Sequence, residues 1–478
     1  MRHTTRVSRS RRAVPRRVLT TIAFLATTAG GALAQAPTDS TAALLLELIR
    51  VNTSNPPGNE AAIAELLAPR FRAAGFEVDI IPTPAAGKAH FVARLRGNGS
   101  RRPVLIAAHA DVVGVEREKW TVDPFAGVVK DGYVFGRGAI DFKGGMAVFA
   151  RAALMLAERK TPLDRDVIFV AEADEEGALP YSAGWLAEKH WSKIDAEFAL
   201  NEGGWIIKRP PPDGRVRYVS ISTADKNTFM VTLITRGTST HASMPRPDNA
   251  IFALARALAR LSDYETPLLF TSSTRRFFQT LAKTSEPPMS EYFRDLTSAD
   301  HEKARRADRE VSKDPLLHAL MRNTIAPVIV NAGFRGNVIP GSAEATLNIR
   351  LIPGVDPADF VRELQRVIDD PSVEVRFNAT PLLPTPISPD TTALFRALER
   401  QARIQYPGAE VTSYLFQAGT DAYAWRARGV PVYGIYPYAI DAEDLTRMHG
   451  NDERVSIESL RQGTELIFRT LVEVAGRR

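Results

Sequence analysis

At 478 residues the chain is too long for one compact core, so two or three domains are expected. Its pI of 9.4 would suit a nucleic-acid partner. However, residues 1–36 hold seven arginines and no acid, and the remainder carries 54 basic against 55 acidic side chains, which argues against one. With no cysteine there is no disulfide, thiol nucleophile or thiolate site, so any metal must be held by His, Asp and Glu.

The arginine-rich start runs into the apolar stretch Val18–Ala34, followed by small residues at Ala32-Leu33-Ala34 and Ala34-Gln35-Ala36. This is the pattern of a cleaved secretory signal, so a periplasmic or secreted protein, free of the membrane after cleavage, is expected. Helical spacing follows over Asp39–Arg50 and Asn59–Ala74, with Gly75 as a stop. Strands are expected at Phe76–Ile81, Phe91–Leu95, Val104–Ala108, Val167–Ala171 and Glu197–Leu200, with a helix over Met146–Leu156. Such alternation predicts an α/β layer with a largely parallel sheet, whose ligands sit beyond the carboxyl ends of the strands.

From about Asn227 the texture changes. Strand Thr228–Arg236, helix Asn249–Leu261 capped by Asp248, strands Val328–Asn331 and Ala343–Leu351, a helix from Asp356-Pro357 through Ile368, and strand Val373–Phe377 follow. The order β-α-β-β-α-β predicts a ferredoxin-like α+β unit. A charged, helix-prone insertion interrupts it at about 266–322. The α/β texture then resumes with helix Thr391–Arg403, strands Val411–Leu415 and Val432–Ile435, and a helix over Ile457–Val472. The expected organisation is a leader at 1–36, a catalytic domain at 37–226 completed by 381–478, and an inserted lid at 227–380.

Five segments offer oxygen or imidazole ligands. His109 leaves a strand end, with Asp111 placed to accept its second ring N–H. Four glycines, Gly136, Gly138, Gly144 and Gly145, surround Asp141, which suggests tight turns and close approach. Glu175 and Glu176 follow the strand Val167–Ala171, and such a pair is costly unless a cation or solvent intervenes. Glu202 ends another strand, and His449 precedes the last helix. Each has an ordinary alternative: a structural histidine, a phosphate loop or a solvated acidic loop.

In order and spacing together, these segments resemble the zinc exopeptidase family of glutamate carboxypeptidase, acetylornithine deacetylase, succinyl-diaminopimelate desuccinylase and aminoacylase, from about Thr41 to the C-terminus. The resemblance implies two zinc ions, with cobalt or manganese as substitutes. Asp141 would bridge them, His109 and Glu202 would complete one, and Glu176 and His449 the other. Glu175 would be the general base toward a metal-bridging water, Asp111 would orient His109, and the Asp141-Phe142 bond would be cis. His241, Asn337, Gly419 and Thr420 match segments near the substrate, and Arg350 offers a fork for a substrate carboxylate. Gln417-Ala418 stands where relatives often have paired glycines. The implied activity is a carboxypeptidase or dipeptidase. The alternatives are an N-acyl-amino-acid deacylase and, more remotely, a binding protein without catalysis. A homodimer through the lid is also implied.

Overall fold

The computed structural model describes residues 39–177, 180–377 and 386–477. The expected leader and the boundary at 380/381 lie outside them. No helix among the described residues is long and apolar enough to cross a membrane.

The larger sheet has ten strands. Its centre is parallel: Val167–Glu172, Val104–His109, Phe198–Asn201 and Val432–Gly434 lie side by side. Antiparallel strands flank this centre, Glu77–Pro82 and Ala89–Leu95 on one side and Val216–Asp225 on the other. The sheet is therefore mixed, with the expected parallel core.

Both faces are covered. Helices Ser40–Arg50, Glu60–Ala73, Lys143–Glu158 and Ile457–Ala475 bury residues such as Leu45, Phe71, Phe149 and Leu466 in one core. Helix Ala183–Ile194 and Trp425 close the other. Parallel strands buried on both faces read as continuous apolar runs, and Val104–His109 is buried at every position.

A four-stranded antiparallel sheet forms the second layer, in the order Thr324–Ala332, Ser342–Leu351, Asn227–Arg236, Val373–Phe377. Helices Ala250–Ser262 and Pro357–Ile368 pack on it around Leu233, Leu347 and Leu364. This is the expected ferredoxin-like order. The insertion forms four helices, Ser272–Thr284, Met289–Asp295, His301–Val311 and Pro315–Met321.

Two local readings change. Asn249, not Asp248, caps its helix by accepting from the Ile251 N–H, while Asp248 accepts from the Thr238 N–H and hydroxyl. The strand Val216–Asp225 is additional. Its buried positions include Ser220, Ser222 and Thr223, so its apolar alternation is weak.

Candidate metal centre

Three parallel strands end at one place. His109 is the last residue of its strand, Glu202 follows Asn201, and the Ala173–Gly177 turn follows Glu172. Asp141 sits just before helix Lys143–Glu158, in a loop where Gly136 (φ +158°) and Gly138 (φ +87°) use backbone conformations closed to most residues. A Cβ on Gly144 would lie 2.1 Å from the Ala139 carbonyl, so close packing requires glycine there too. The Asp141-Phe142 peptide is cis.

The two oxygens of Asp141 face different imidazoles. Oδ1 lies 3.1 Å from His109 Nε2, and Oδ2 lies 3.0 Å from His449 Nε2. Glu202 Oε2 is 3.5 Å from His109 Nε2, and Glu176 Oε1 is 3.0 Å from His449 Nε2. Ligand atoms of His109, Asp141 and Glu176, and likewise those of His109, Glu175 and Glu202, lie within 4.8 Å of one another. All five predicted ligands and the predicted base therefore meet.

Asp111 holds the backbone of the two adjacent glutamates. Its carboxylate accepts the Glu175 N–H at 3.2 Å, the Glu176 N–H at 2.9 Å and the Asn55 amide at 2.8 Å. Its link to His109 is shared: Nδ1 lies 3.0 Å from the Asp111 carbonyl oxygen and 3.6 Å from its carboxylate.

The field of these groups favours cations. Hydrogen bonds donated to the carboxylates of Asp141 and Glu176 raise the His449 pKa to about 10. Burial, reinforced by the charge of Asp141, pushes Glu202 up to about 7. Burial and then repulsion from Glu202 push Glu175 well above the ordinary range, and His109 opposes this. Burial would raise Asp141 too, but hydrogen bonds from both histidines outweigh it and its pKa falls. Carboxylates and imidazoles crowded this closely match the donor set of divalent metals, whose binding displaces the imidazole protons.

The remaining predicted residues are more scattered. Arg350 is half-buried on the strand beside Thr228, its Nε donating to Asn348 at 3.2 Å, and the charge of Glu175 offsets part of its desolvation. Thr420 donates to Asp225 at 2.6 Å, and Gly419 lies beside Thr228. His241 is exposed, and its Nδ1 lies 2.8 Å from the Ser243 hydroxyl and accepts the Ser243 N–H at 3.2 Å. Asn337 is exposed, its carbonyl accepting from the Ala242 N–H.

Sequence reasoning missed several supports. The Tyr436 hydroxyl lies 2.9 Å from Glu202 and 3.2 Å from Asp141, with its ring stacked on Trp205. Its place just past strand Val432–Gly434 was the available signal. Asp421, in the segment of Gly419 and Thr420 already singled out, is buried and pushed to about 8, chiefly by desolvation, and its charge raises Glu172 in turn. Glu453 grips the Asp141 loop.

The comparisons agree with this geometry. The model of "Peptidase family M20/M25/M40" matches residues 105–473. "Probable carboxypeptidase S-like 2" of Dictyostelium discoideum is 30% identical over 375 residues, covering 77% of this chain and 71% of the relative. The human "N-fatty-acyl-amino acid synthase/hydrolase PM20D1" is 29% identical over 380 residues, covering 77% and 73%. The M20 family metallo-carboxypeptidase Sso-CP2 from Sulfolobus solfataricus shares the fold, with TM-score 0.67 at 19% identity, over 91% of this chain and 99% of that one. The chain thus belongs to peptidase family M20/M25/M40 and is an enzyme of its metallopeptidase and amidohydrolase kind.

Proposed function

We propose that this hydrolase carries two zinc ions and cleaves the amide bond next to an amino acid with a free carboxylate, as a carboxypeptidase or dipeptidase. The observation that carries the reading is Asp141, whose two oxygens each face a separate imidazole at 3.1 and 3.0 Å. His109 and Glu202 would hold one ion with Asp141, and Glu176 and His449 the other. When bound, such ions polarise the scissile carbonyl and acidify the attacking water.

The chain's own groups do the rest. Glu175 accepts the proton of the water and returns it to the leaving nitrogen, a task suited by a carboxyl whose proton affinity burial has raised. Asp111 fixes His109 and the backbone of Glu175 and Glu176. Arg350 pairs with the substrate carboxylate, and Gly419 leaves room beside it. Thr420 supports that wall of the site through Asp225.

A second reading, hydrolysis of N-acyl amino acids, is favoured by the relative named for that activity. It uses the same machinery and differs only in the acyl pocket. Loss of catalysis is disfavoured because the full set of ligands and Glu175 converge.

A lid-mediated homodimer is supported by edge strand Thr324–Ala332, where Val328, Ile329 and Val330 are each more than half exposed, and by Phe334, 77% exposed. His241 and Asn337, exposed in the same layer, are the residues such a dimer would bring to a substrate. Export is supported by the basic and apolar leader.

The test is zinc counted per chain, with hydrolysis of dipeptides, N-acetyl amino acids and N-fatty-acyl amino acids measured before and after chelation. Two zincs, loss on chelation, recovery with zinc and a 10²- to 10⁴-fold lower kcat in Glu175→Gln at about equal metal content are expected. Hydrolysis that survives chelation would refute the reading.

A further inference from the structure

Arg137 and Glu453 form a buried ion pair at 2.7 Å, their side chains 2% and 0% exposed. Such burial removes two charges from water and is compensated only when the remaining donors and acceptors are satisfied. Here Arg137 Nε is buried without a hydrogen-bond partner, and the bonds that are made have a pattern.

Glu453 Oε1 accepts the N–H groups of Ile140 at 2.6 Å and Asp141 at 3.0 Å. Its Oε2 accepts the Gly138 N–H at 3.1 Å and the Arg137 guanidinium. The other arm of Arg137 donates to the carbonyls of His449 and Gly114, each at 3.3 Å. Trp120 lies against the guanidinium, 5.3 Å from its ring centre. The two segments are also stitched by pairing of Arg454 with Phe135 and by the Gly136 N–H donating to the Glu453 carbonyl.

The pair thus grips the backbones of Asp141 and His449 together. His449 sits at φ +59°, in the left-handed region that few non-glycine residues occupy. None of the pair's bonds reaches His109 or Glu202. Those two leave neighbouring parallel strands, and the Tyr436 hydroxyl braces Glu202 and the Oδ1 side of Asp141. The two halves of the cluster therefore share Asp141 and differ in their remaining supports.

We infer that Arg137 and Glu453 are positioning residues for the metal centre that act unequally: on the ion of Glu176 and His449 through both Asp141 and His449, and on the ion of His109 and Glu202 through the shared Asp141 alone. The inference rests on the two-zinc reading proposed above. Disturbing the pair lets the Asp141 amide and the His449 carbonyl drift, while His109, Glu202 and Tyr436 keep their places. A purely structural ion pair would instead lower the stability of the metal-free chain and spare both sites or weaken both.

The test titrates the metal-free full chain with zinc against a chromophoric chelator, and follows urea unfolding of the same metal-free samples. Glu453→Gln keeps the shape but offers one acceptor oxygen where two now serve. It should weaken one zinc by about 10- to 100-fold and leave the other within a few-fold. Arg137→Lys keeps the charge but loses the fork, so it should act in the same direction and more weakly; it carries the test should the glutamine chain not fold. Equal weakening of both zincs, or none, in a folded variant would overturn the inference and leave the two-zinc reading standing. Fewer than two zincs on the unaltered chain would remove that reading and the inference with it.

Discussion

His90 makes the stability of this fold depend on acid in a way that can be worked out in advance. It is fully buried in strand Ala89–Leu95, with its ring stacked against Trp185. Nδ1 accepts the Ala173 N–H at 3.1 Å, so the ring proton must sit on Nε2, which donates to the Tyr181 carbonyl at 2.9 Å. A second proton would have to point at an N–H donor. Burial lowers the pKa from 6.5 to about 4.

Between those values the unfolded chain binds a proton that the folded chain refuses, so stability falls as the pH drops from 6.5 towards 4 and stays reduced below it. The full shift corresponds to about 3 kcal/mol. Between about pH 7.5 and about pH 5 the share lost is about 2 kcal/mol. Urea unfolding of the metal-free chain measures it, since chelation removes competition between protons and metal. Other titrating groups contribute to both proteins, so the signal is the difference in slope against His90→Gln, which should be flatter by about 2 kcal/mol over that interval. Equal slopes would refute the assignment of a neutral, doubly bonded His90.

A Cβ on Gly434 would fall 2.0 Å from the Glu202 carbonyl. Gly434→Ala should therefore destabilise the fold by about 1–3 kcal/mol in urea unfolding and lower zinc affinity by displacing Glu202. Arg350→Met should raise KM for N-acyl amino acids by about 10- to 100-fold, the worth of a charged hydrogen bond, with far less effect on amidated analogues. The unaltered chain should scatter light as a dimer and the double change Val330→Lys with Phe334→Glu as a monomer at unchanged zinc content; a monomer in the first case or a persistent dimer in the second would rule out that edge.

Much of the fold was legible because two periodicities alternate cleanly. The run Val104–His109 is buried throughout, and the strand Ser342–Leu351 alternates so that Ala345, Leu347 and Ile349 are inward while Asn348 and Arg350 are only partly covered. Val216–Asp225 escaped because small hydroxyl residues fill its inward positions, and a hydroxyl buried in a hydrogen-bonded sheet looks like a surface residue in sequence. The cap at Asn249 escaped because Asp248 is an equally good cap by residue type, and only the Thr238 contact decides between them.

The same contrast separates the ligands from what holds them. His109, Glu175 and Glu202 follow apolar strands, where a charged side chain has few ordinary uses, so a local window finds them. Their supports come from far along the chain. Asn55 reaches Asp111 across 56 residues, Tyr436 reaches Glu202 across 234, and Glu453 reaches the Asp141 amide across 312. Asparagine, tyrosine and glutamate each have common surface roles, so residue type alone gives no hint of these bonds. Only the sheet order, which sets Val432–Gly434 beside Phe198–Asn201 and Arg454–Ser456 beside Tyr133–Phe135, converts distant segments into neighbours. It follows that a substitution preserving every predicted ligand can still weaken metal binding, and that Glu453 and Tyr436 are the positions where this should be seen first.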